Sequence, residues 1–176
     1  MEIMNGSYQK IKMANIQKLK NVTIEDTVLI FRNFSGKPSE YNIAGDRNFG
    51  CLIAEEDAIA MSKDGWNIKQ LRPKDEEEVP GYFIKISVSF RNVPPLIYVI
   101  HKSEDGSTRT VKLNEEDLNV LDYADIVKAD LQLNPYFWSK GKESGVKAYL
   151  KSLYVTVPED KLEARYLGLK DNDETY

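Results

Sequence analysis

Tyr82-Phe83-Ile84-Lys85-Ile86-Ser87-Val88-Ser89-Phe90 alternates with a period of two. Its even positions are Tyr, Ile, Ile, Val and Phe, while its odd positions include Lys85, Ser87 and Ser89. Successive side chains of a strand point to opposite faces, so this stretch predicts a strand with one face in a core and the other in water. Lys85 is the cation that the wet face offers.

Similar signals run outward in both directions. Upstream, Thr27-Val28-Leu29-Ile30-Phe31-Arg32-Asn33-Phe34 is β-branched and aromatic, and Arg47 to Ile53 predicts a second strand. Between them lies a Gly- and Pro-containing loop, Ser35 to Glu40. Ala54 to Lys63 predicts a short helix with Glu55, Glu56 and Asp57 in its first turn, where the helix dipole favours acids. Asp64-Gly65 ends it, and Trp66 to Arg72 resumes extended structure up to Pro73.

Downstream, Pro94-Pro95 breaks the chain, and Leu96 to His101 with Thr108 to Leu113 flanks a glycine-containing hairpin loop. Asn114 is placed to cap a helix through Tyr123. Lys128 to Trp138 and Gly145 to Val157 predict a last hairpin around the turn Ser139 to Ser144. About seven or eight short strands with two small helices predict an all-β fold with minor helices, an OB-fold-like barrel.

The expected organisation is a flexible leader at 1–20, the barrel at 21–157 and an acidic C-terminal tail at 158–176. Ile11, Ile16 and Leu19 could share a helical face in the leader, and Glu159 to Tyr166 suits a turn or two of helix. The start, Met1-Glu2-Ile3-Met4-Asn5-Gly6, lacks the basic and apolar regions of a signal peptide. No apolar run approaches the roughly 18 residues of a membrane span. One cysteine, Cys51, excludes an internal disulfide and fits a reducing compartment.

Net charge is −4, which superficially opposes nucleic acid. The distribution reverses that: Asp75 to Glu78 carries −4 and the last six residues −3, so the remainder is +3. Residues 128–151 hold five lysines against Asp130 and Glu143.

Catalytic chemistry finds little support. His101 and Cys51 are the only residues of their types and form no nucleophile motif or metal set. Cys51, amid Phe49, Leu52 and Ile53, reads as a small buried hydrophobe. No phosphate-binding glycine loop is present, and no cofactor or metal is expected.

The positive signal is rings interleaved with cations. In Gly145-Val146-Lys147-Ala148-Tyr149-Leu150-Lys151, Val146, Ala148 and Leu150 share one face, and Lys147, Tyr149 and Lys151 share the other, spaced about 6.5–7 Å apart. A base can stack on Tyr149 while its phosphates meet the lysines. Leu153, Val155 and Val157 then occupy the wet register, so a bulge at Ser152 or its neighbour is expected. On the partner strand Gln132, Asn134, Tyr136 and Trp138 share a face, with Lys140 and Lys142 at the hairpin tip.

A third group is Phe31, Arg32, Phe34, Lys37, Tyr41, Arg47 and Phe49. Two of its three phenylalanines are expected in the core, and Arg32, Phe34, Lys37, Tyr41 and Arg47 are candidates for the interface. Trp66 with Lys69 and Arg72 is a fainter instance, with Trp66 read as core. In the tail, Asp171, Asp173, Glu174 and Tyr176 combine anionic charge with a terminal ring, which suits a basic groove or a partner's pocket. The plainer reading is a solubilising tail, and the plainer reading of Tyr149 is a surface ring between solubilising lysines.

Phe31-Arg32-Asn33-Phe34-Ser35-Gly36, Tyr41-Asn42, Gly45-Asp46-Arg47-Asn48-Phe49, Asp64-Gly65-Trp66-Asn67-Ile68 and Gly145 to Tyr154 together resemble a family of phage and prophage single-stranded-DNA-binding proteins of OB-fold type. The resemblance spans roughly Asn21 to Tyr166. It implies non-catalytic, sequence-tolerant binding of single-stranded DNA in the cytoplasm of a bacterial host, in cooperation with replication or recombination enzymes. A second copy of the chain is a further candidate partner. The competing classes are a phage structural or protein-interaction module and a nucleotide-processing enzyme.

Overall fold

The structure is a computed structural model that describes residues 19–91 and 93–159. The expectations for residues 1–18 and 160–176, including Asp171, Asp173, Glu174 and Tyr176, lie outside the described residues.

Nine strands form one mixed sheet: β1 (Val22–Thr27), β2 (Leu29–Asn33), β3 (Arg47–Ile53), β4 (Ile68–Gln70), β5 (Tyr82–Val88), β6 (Leu96–Ser103), β7 (Thr108–Lys112), β8 (Lys128–Lys140) and β9 (Glu143–Glu159). Helix α1 covers Glu55–Lys63, and a 3-10 helix covers Glu115–Asp122. The fold is all-β with minor helices and OB-like. The principal strand order is β1-β8-β9-β5-β3-β2.

The ladder does not close, yet its two ends are neighbours in sequence. β1 pairs with β8, β2 pairs with β3, and only Val28 separates β1 from β2. The junction is fastened by Leu52 N–H donating to the Val28 carbonyl at 3.1 Å and by Thr27 Oγ1 donating to the Leu52 carbonyl at 2.7 Å. Asp26 takes a left-handed φ of 52°, which turns the chain at this corner. A single bent segment thus joins the two ends of the open sheet.

β9 is the axis of the sheet. β8 lines one edge along most of its length, from Lys140↔Glu143 to Lys128↔Thr156. On the other edge β5 runs parallel to its first half, at Ser87↔Tyr149, and β6 runs parallel to its second half from Leu96↔Ser152. Pro94 and Pro95 have no N–H to give to a ladder, so the chain leaves this edge and rejoins it further on. The β8–β9 register shifts between Gln132 and Leu133, opposite Ser152 and Leu150, which leaves Lys151 as the extra residue. That is the expected bulge. It moves Leu153, Val155 and Val157 into the core without turning the strand over.

The core is one cluster that includes Phe34, Phe49, Cys51, Trp66, Ile84, Ile86, Leu131, Leu133, Val146, Leu150, Leu153 and Val155. Phe34 and Phe49 stack at 4.7 Å, as two of the three expected core phenylalanines, while Phe31 is exposed.

Four local differences from the sequence reading have physical causes. β1 was not expected as a strand, because Val22-Thr23-Ile24-Glu25-Asp26-Thr27 offers only two apolar residues; pairing with Leu133 and Leu131 of β8 supplies the rest. The segment 27–34 is not one continuous strand but breaks at Val28. The last turn is tighter than 139–144, because Gly141 at φ 62° permits a two-residue turn closed by Lys140 and Glu143. Residues 115–122 form a 3-10 helix, and Asn114 sits at its N-cap in extended conformation without a side-chain capping bond.

Burial pushes the Cys51 thiol up to about 12. The reactive thiolate is therefore scarce at neutral pH. Folded protein at pH 8 is expected to resist a thiol-specific reagent, and urea-unfolded protein to react at the rate of a free cysteine; comparing the two rates by absorbance checks this.

Candidate nucleic-acid interface

Side chains directly opposite each other in paired strands share a face. The register therefore assembles a continuous outer surface from residues scattered in sequence. On β8 it carries Asn134, Tyr136 and Trp138, opposite Tyr149, Lys147 and Gly145 of β9. Tyr149 lies beside Ser87 of β5, and Ser87 lies beside Asn48 of β3. Two residues back along β5, Lys85 stands opposite Gly50; two further back, Phe83 stands opposite Leu52 of β3 and Lys69 of β4. Lys151 projects from the bulge and is exposed. Four lysines lie on this face, and none of the side chains just named is a carboxylate.

The rings are arranged in two pairs. Tyr136, 56% exposed, meets half-buried Tyr149 edge-to-face at 5.7 Å and 84°. Lys147 Nζ lies 5.1 Å from the Tyr149 ring centroid. The second pair is Phe31, 66% exposed, set edge-on to Phe83 at 5.4 Å and 62°. Phe31 reaches that position through a left-handed φ of 49° at an irregularity in the β2–β3 register. The Phe83 ring crosses over Gly50, where a Cβ would fall 3.2 Å from Phe83 Cδ2. From Tyr149 the second pair is one strand over and four residues along, roughly 14 Å, with Lys85 between them.

Trp138 is half-buried, its indole resting on Gly145 with atoms 3.2 Å from where a Cβ would stand. Lys140 and Lys142 are exposed at the hairpin tip.

The loop at 34–46 starts from Asn33 and returns at Arg47, next to the Asn48–Ser87–Tyr149 row. It is internally braced. Asn33 Oδ1 accepts from Lys37 N–H at 2.8 Å, and Asn42 Nδ2 donates to the Lys37 and Asp46 carbonyls at 2.9 and 3.0 Å. Gly36, at φ 68°, approaches Gly45 so closely that a Cβ would fall 2.9 Å from the Gly45 carbonyl carbon. This bracing presents Tyr41 at 88% exposure. Lys37 is also exposed; its Nζ donates to the Tyr123 hydroxyl, and that bond raises its pKa above the ordinary lysine value.

Three sequence-predicted site residues need correction. Phe34 has no exposed surface and stacks on Phe49 inside the core, so it cannot meet a base. The exposed ring of that segment is Phe31, where a left-handed φ interrupts the β2–β3 register. Arg32 directs its guanidinium inward to the Leu121 and Ala124 carbonyls at 2.9 and 2.7 Å, holding the 3-10 helix against β2. Arg47 pairs with Glu115 at 2.7 Å and lies 5.6 Å from the Phe90 ring centroid. Both arginines position the loop and do not present free cations. Asp122 completes this anchor by accepting from Phe34 N–H at 2.6 Å, Ser35 N–H at 3.2 Å and Ser35 Oγ at 2.6 Å.

Lys85, Tyr136, Trp138, Lys147, Tyr149 and Lys151 do share one surface; Lys140 and Lys142 extend it at the hairpin tip, and Lys37 and Tyr41 at the loop. Sequence reasoning missed Phe31 and Phe83 as surface rings. It placed Lys69 only beside Trp66, which is core. The available signal was Phe83 at an odd position of the alternating strand, on the same face as Lys85.

The profile of the family described as "Putative phage ssDNA-binding domain" matches residues 11–176. The chain belongs to that family. Among solved structures it is similar to the single-stranded DNA-binding protein from bacteriophage Enc34 in complex with ssDNA. The identity is 11% over 78% of this chain and 86% of that one, with a TM-score of 0.50. It is also similar to gp2.5, a single-stranded DNA binding protein encoded by bacteriophage T7, at 13% identity over 79% and 92% of the two chains, with a TM-score of 0.39. No curated protein matches. Among the described residues no helix is long and apolar enough to cross a membrane, and no group of three or more His, Cys, Asp or Glu is placed to hold a metal ion.

The correction at Phe34 is testable against its neighbour. Phe34→Ala is expected to cost about 3–5 kcal/mol of stability by emptying a core site, and Phe31→Ala well under half of that. Urea denaturation of the two variants measures the difference.

Proposed function

We propose that this chain binds single-stranded DNA without catalysis and with little sequence preference, through the outer face of β8, β9, β5 and β3, extended by the loop 34–46. The observation that carries this reading is the alternation of rings and lysines across strands that are distant in sequence, from Tyr136, Tyr149 and Lys147 across Lys85 to Phe83 and Phe31. The membership of the chain in a phage ssDNA-binding family supports the same ligand.

Each component has a distinct physical part. Lys69, Lys85, Lys147 and Lys151 on the sheet, Lys140 and Lys142 at the hairpin tip and Lys37 on the loop neutralise phosphates and release counterions, which supplies affinity at any sequence. Tyr136, Tyr149, Phe31, Phe83, Tyr41 and Trp138 offer π surfaces on which any base can stack, each worth about 1–3 kcal/mol when used. The Lys147 ammonium beside the Tyr149 ring is placed to move from that ring to a phosphate when a base arrives. No bond is made or broken, and no cofactor takes part.

In this reading residues 21–157 are the binding domain, 1–20 a leader and 158–176 an acidic tail, in which Asp171, Asp173, Glu174 and Tyr176 meet replication or recombination proteins. The chain protects single strands during phage replication or recombination in the cytoplasm of the bacterial host. A second copy of the chain is a further partner of this reading.

The test is a titration of labelled oligothymidylate at several salt concentrations. Tyr149→Ala is expected to weaken binding by about 1–3 kcal/mol with an unchanged salt slope, because stacking releases no counterions. Lys147→Ala is expected to reduce the slope of log K against log salt by about 0.7, the single-strand value for one phosphate contact. A wild-type protein that fails to bind at low salt would overturn the reading.

A further inference from the structure

The second half of β9 carries another aromatic surface that the interface above does not use. Tyr98 of β6 and Tyr154 of β9 are direct partners in the parallel ladder, and their rings stack at 5.2 Å and 9°. Tyr154 remains 39% exposed. Lys112 of β7 stands opposite Tyr98 and is exposed, and Lys102 is exposed further along β6. On the other side Asp130 of β8 stands opposite Tyr154. Its charge is already engaged: Oδ1 accepts from Asp26 N–H at 2.7 Å, and Oδ2 lies 3.6 Å from Lys128 Nζ.

This surface is continuous with the first. β8 keeps one parity throughout, so Lys128, Asp130, Gln132, Asn134 and Tyr136 all point outward, and their β9 partners Thr156, Tyr154, Ser152, Tyr149 and Lys147 point the same way. The bulge at Lys151 makes this possible. Without it Tyr154 would fall on the core side, because its sequence parity is opposite to that of Tyr149. Counted along β8, Asn134 to Asp130, the two tyrosines are roughly 13 Å apart. The polar pair Gln132 and Ser152 fills the interval, with the exposed Lys151 beside it.

We propose that the Tyr98–Tyr154 stack, with Lys112 and Lys102, is a second base-stacking subsite that extends the path of one DNA strand along β9 past the bulge. The inference rests on the single-strand-binding reading above and adds a footprint to it. The occupant is the same strand and not a protein, because the surface continues the first face along the same two strands and adds cations beside the rings. A short oligomer occupies the Tyr136–Tyr149 end alone, and a longer one reaches Tyr154.

The test is anisotropy of labelled oligothymidylates from about four to about sixteen residues, the range of site sizes for one OB fold, at fixed salt. The proteins compared are wild type, Tyr154→Ala, Lys112→Glu and Tyr149→Ala. Wild type is expected to gain affinity with length, and Tyr154→Ala and Lys112→Glu to lose about five- to tenfold on the longest oligomer while matching wild type on the shortest. Lys112→Glu changes an exposed strand residue and keeps the test independent of any packing lost with the tyrosine. Tyr149→Ala is expected to weaken binding at every length. If Tyr154→Ala and Lys112→Glu match wild type at all lengths, or weaken all lengths equally, the second subsite is wrong. In that event the Tyr149→Ala loss still stands for the single-strand reading, whereas absence of wild-type binding at any length would remove both.

Discussion

The pairing of β8 with β9 is the constraint on which the rest of the structure depends. It is the longest ladder of the sheet, and β9 is the strand on which β5 and β6 both lean. One extra residue, Lys151, resets the parity of β9 halfway along. Val146, Ala148 and Leu150 before the bulge, and Leu153, Val155 and Val157 after it, therefore enter one core. The outward side chains remain on one face over both halves. A regular strand with this sequence would have exposed three large apolar residues and buried Tyr154. Hydrophobic burial thus fixes the bulge, and the bulge fixes which rings and cations reach solvent together.

The other half of the surface depends on a second constraint, the bent segment 22–33. Its two halves are the two end strands of the open sheet, which are joined by chain continuity at Val28 and not by a closing ladder. Around this bend the 3-10 helix acts as a buttress. Arg32, Asp122 and the Arg47–Glu115 pair tie it to the start and end of the loop 34–46. Two of the candidate cations, Arg32 and Arg47, thus serve the scaffold, whereas the lysines of the sheet stand at the surface. The physical reason lies in the donors: a guanidinium can satisfy several carbonyls or a carboxylate at once, which suits an anchor in a partly buried place.

Where local pattern and tertiary packing agree, the sequence was readable. The alternation at 82–88, the ring and cations at 147–151, the helix at 55–63, and the burial of Cys51 and Trp66 all follow from periodicity and composition. What was not readable depended on contacts distant in sequence. β1 becomes a strand because β8 offers Leu131 and Leu133 opposite it. Phe34, a candidate for the interface, is core and Phe31 is the surface ring because a left-handed residue interrupts β2, and no parity rule anticipates a positive φ at a phenylalanine. Tyr98 and Tyr154 are 56 positions apart, and only the parallel register of β6 with β9 makes them a stack.

The central claim is that a single strand of DNA lies on the outer face of the sheet, along β9. Zero-length photocrosslinking of the protein to oligothymidylate, followed by mass-spectrometric mapping of the modified residues, tests it most directly. The account predicts crosslinks concentrated at Tyr149, Tyr136 and Phe31. Crosslinks confined to α1, at Ile59, Ser62 and Lys63, with none on β8 or β9, would contradict it.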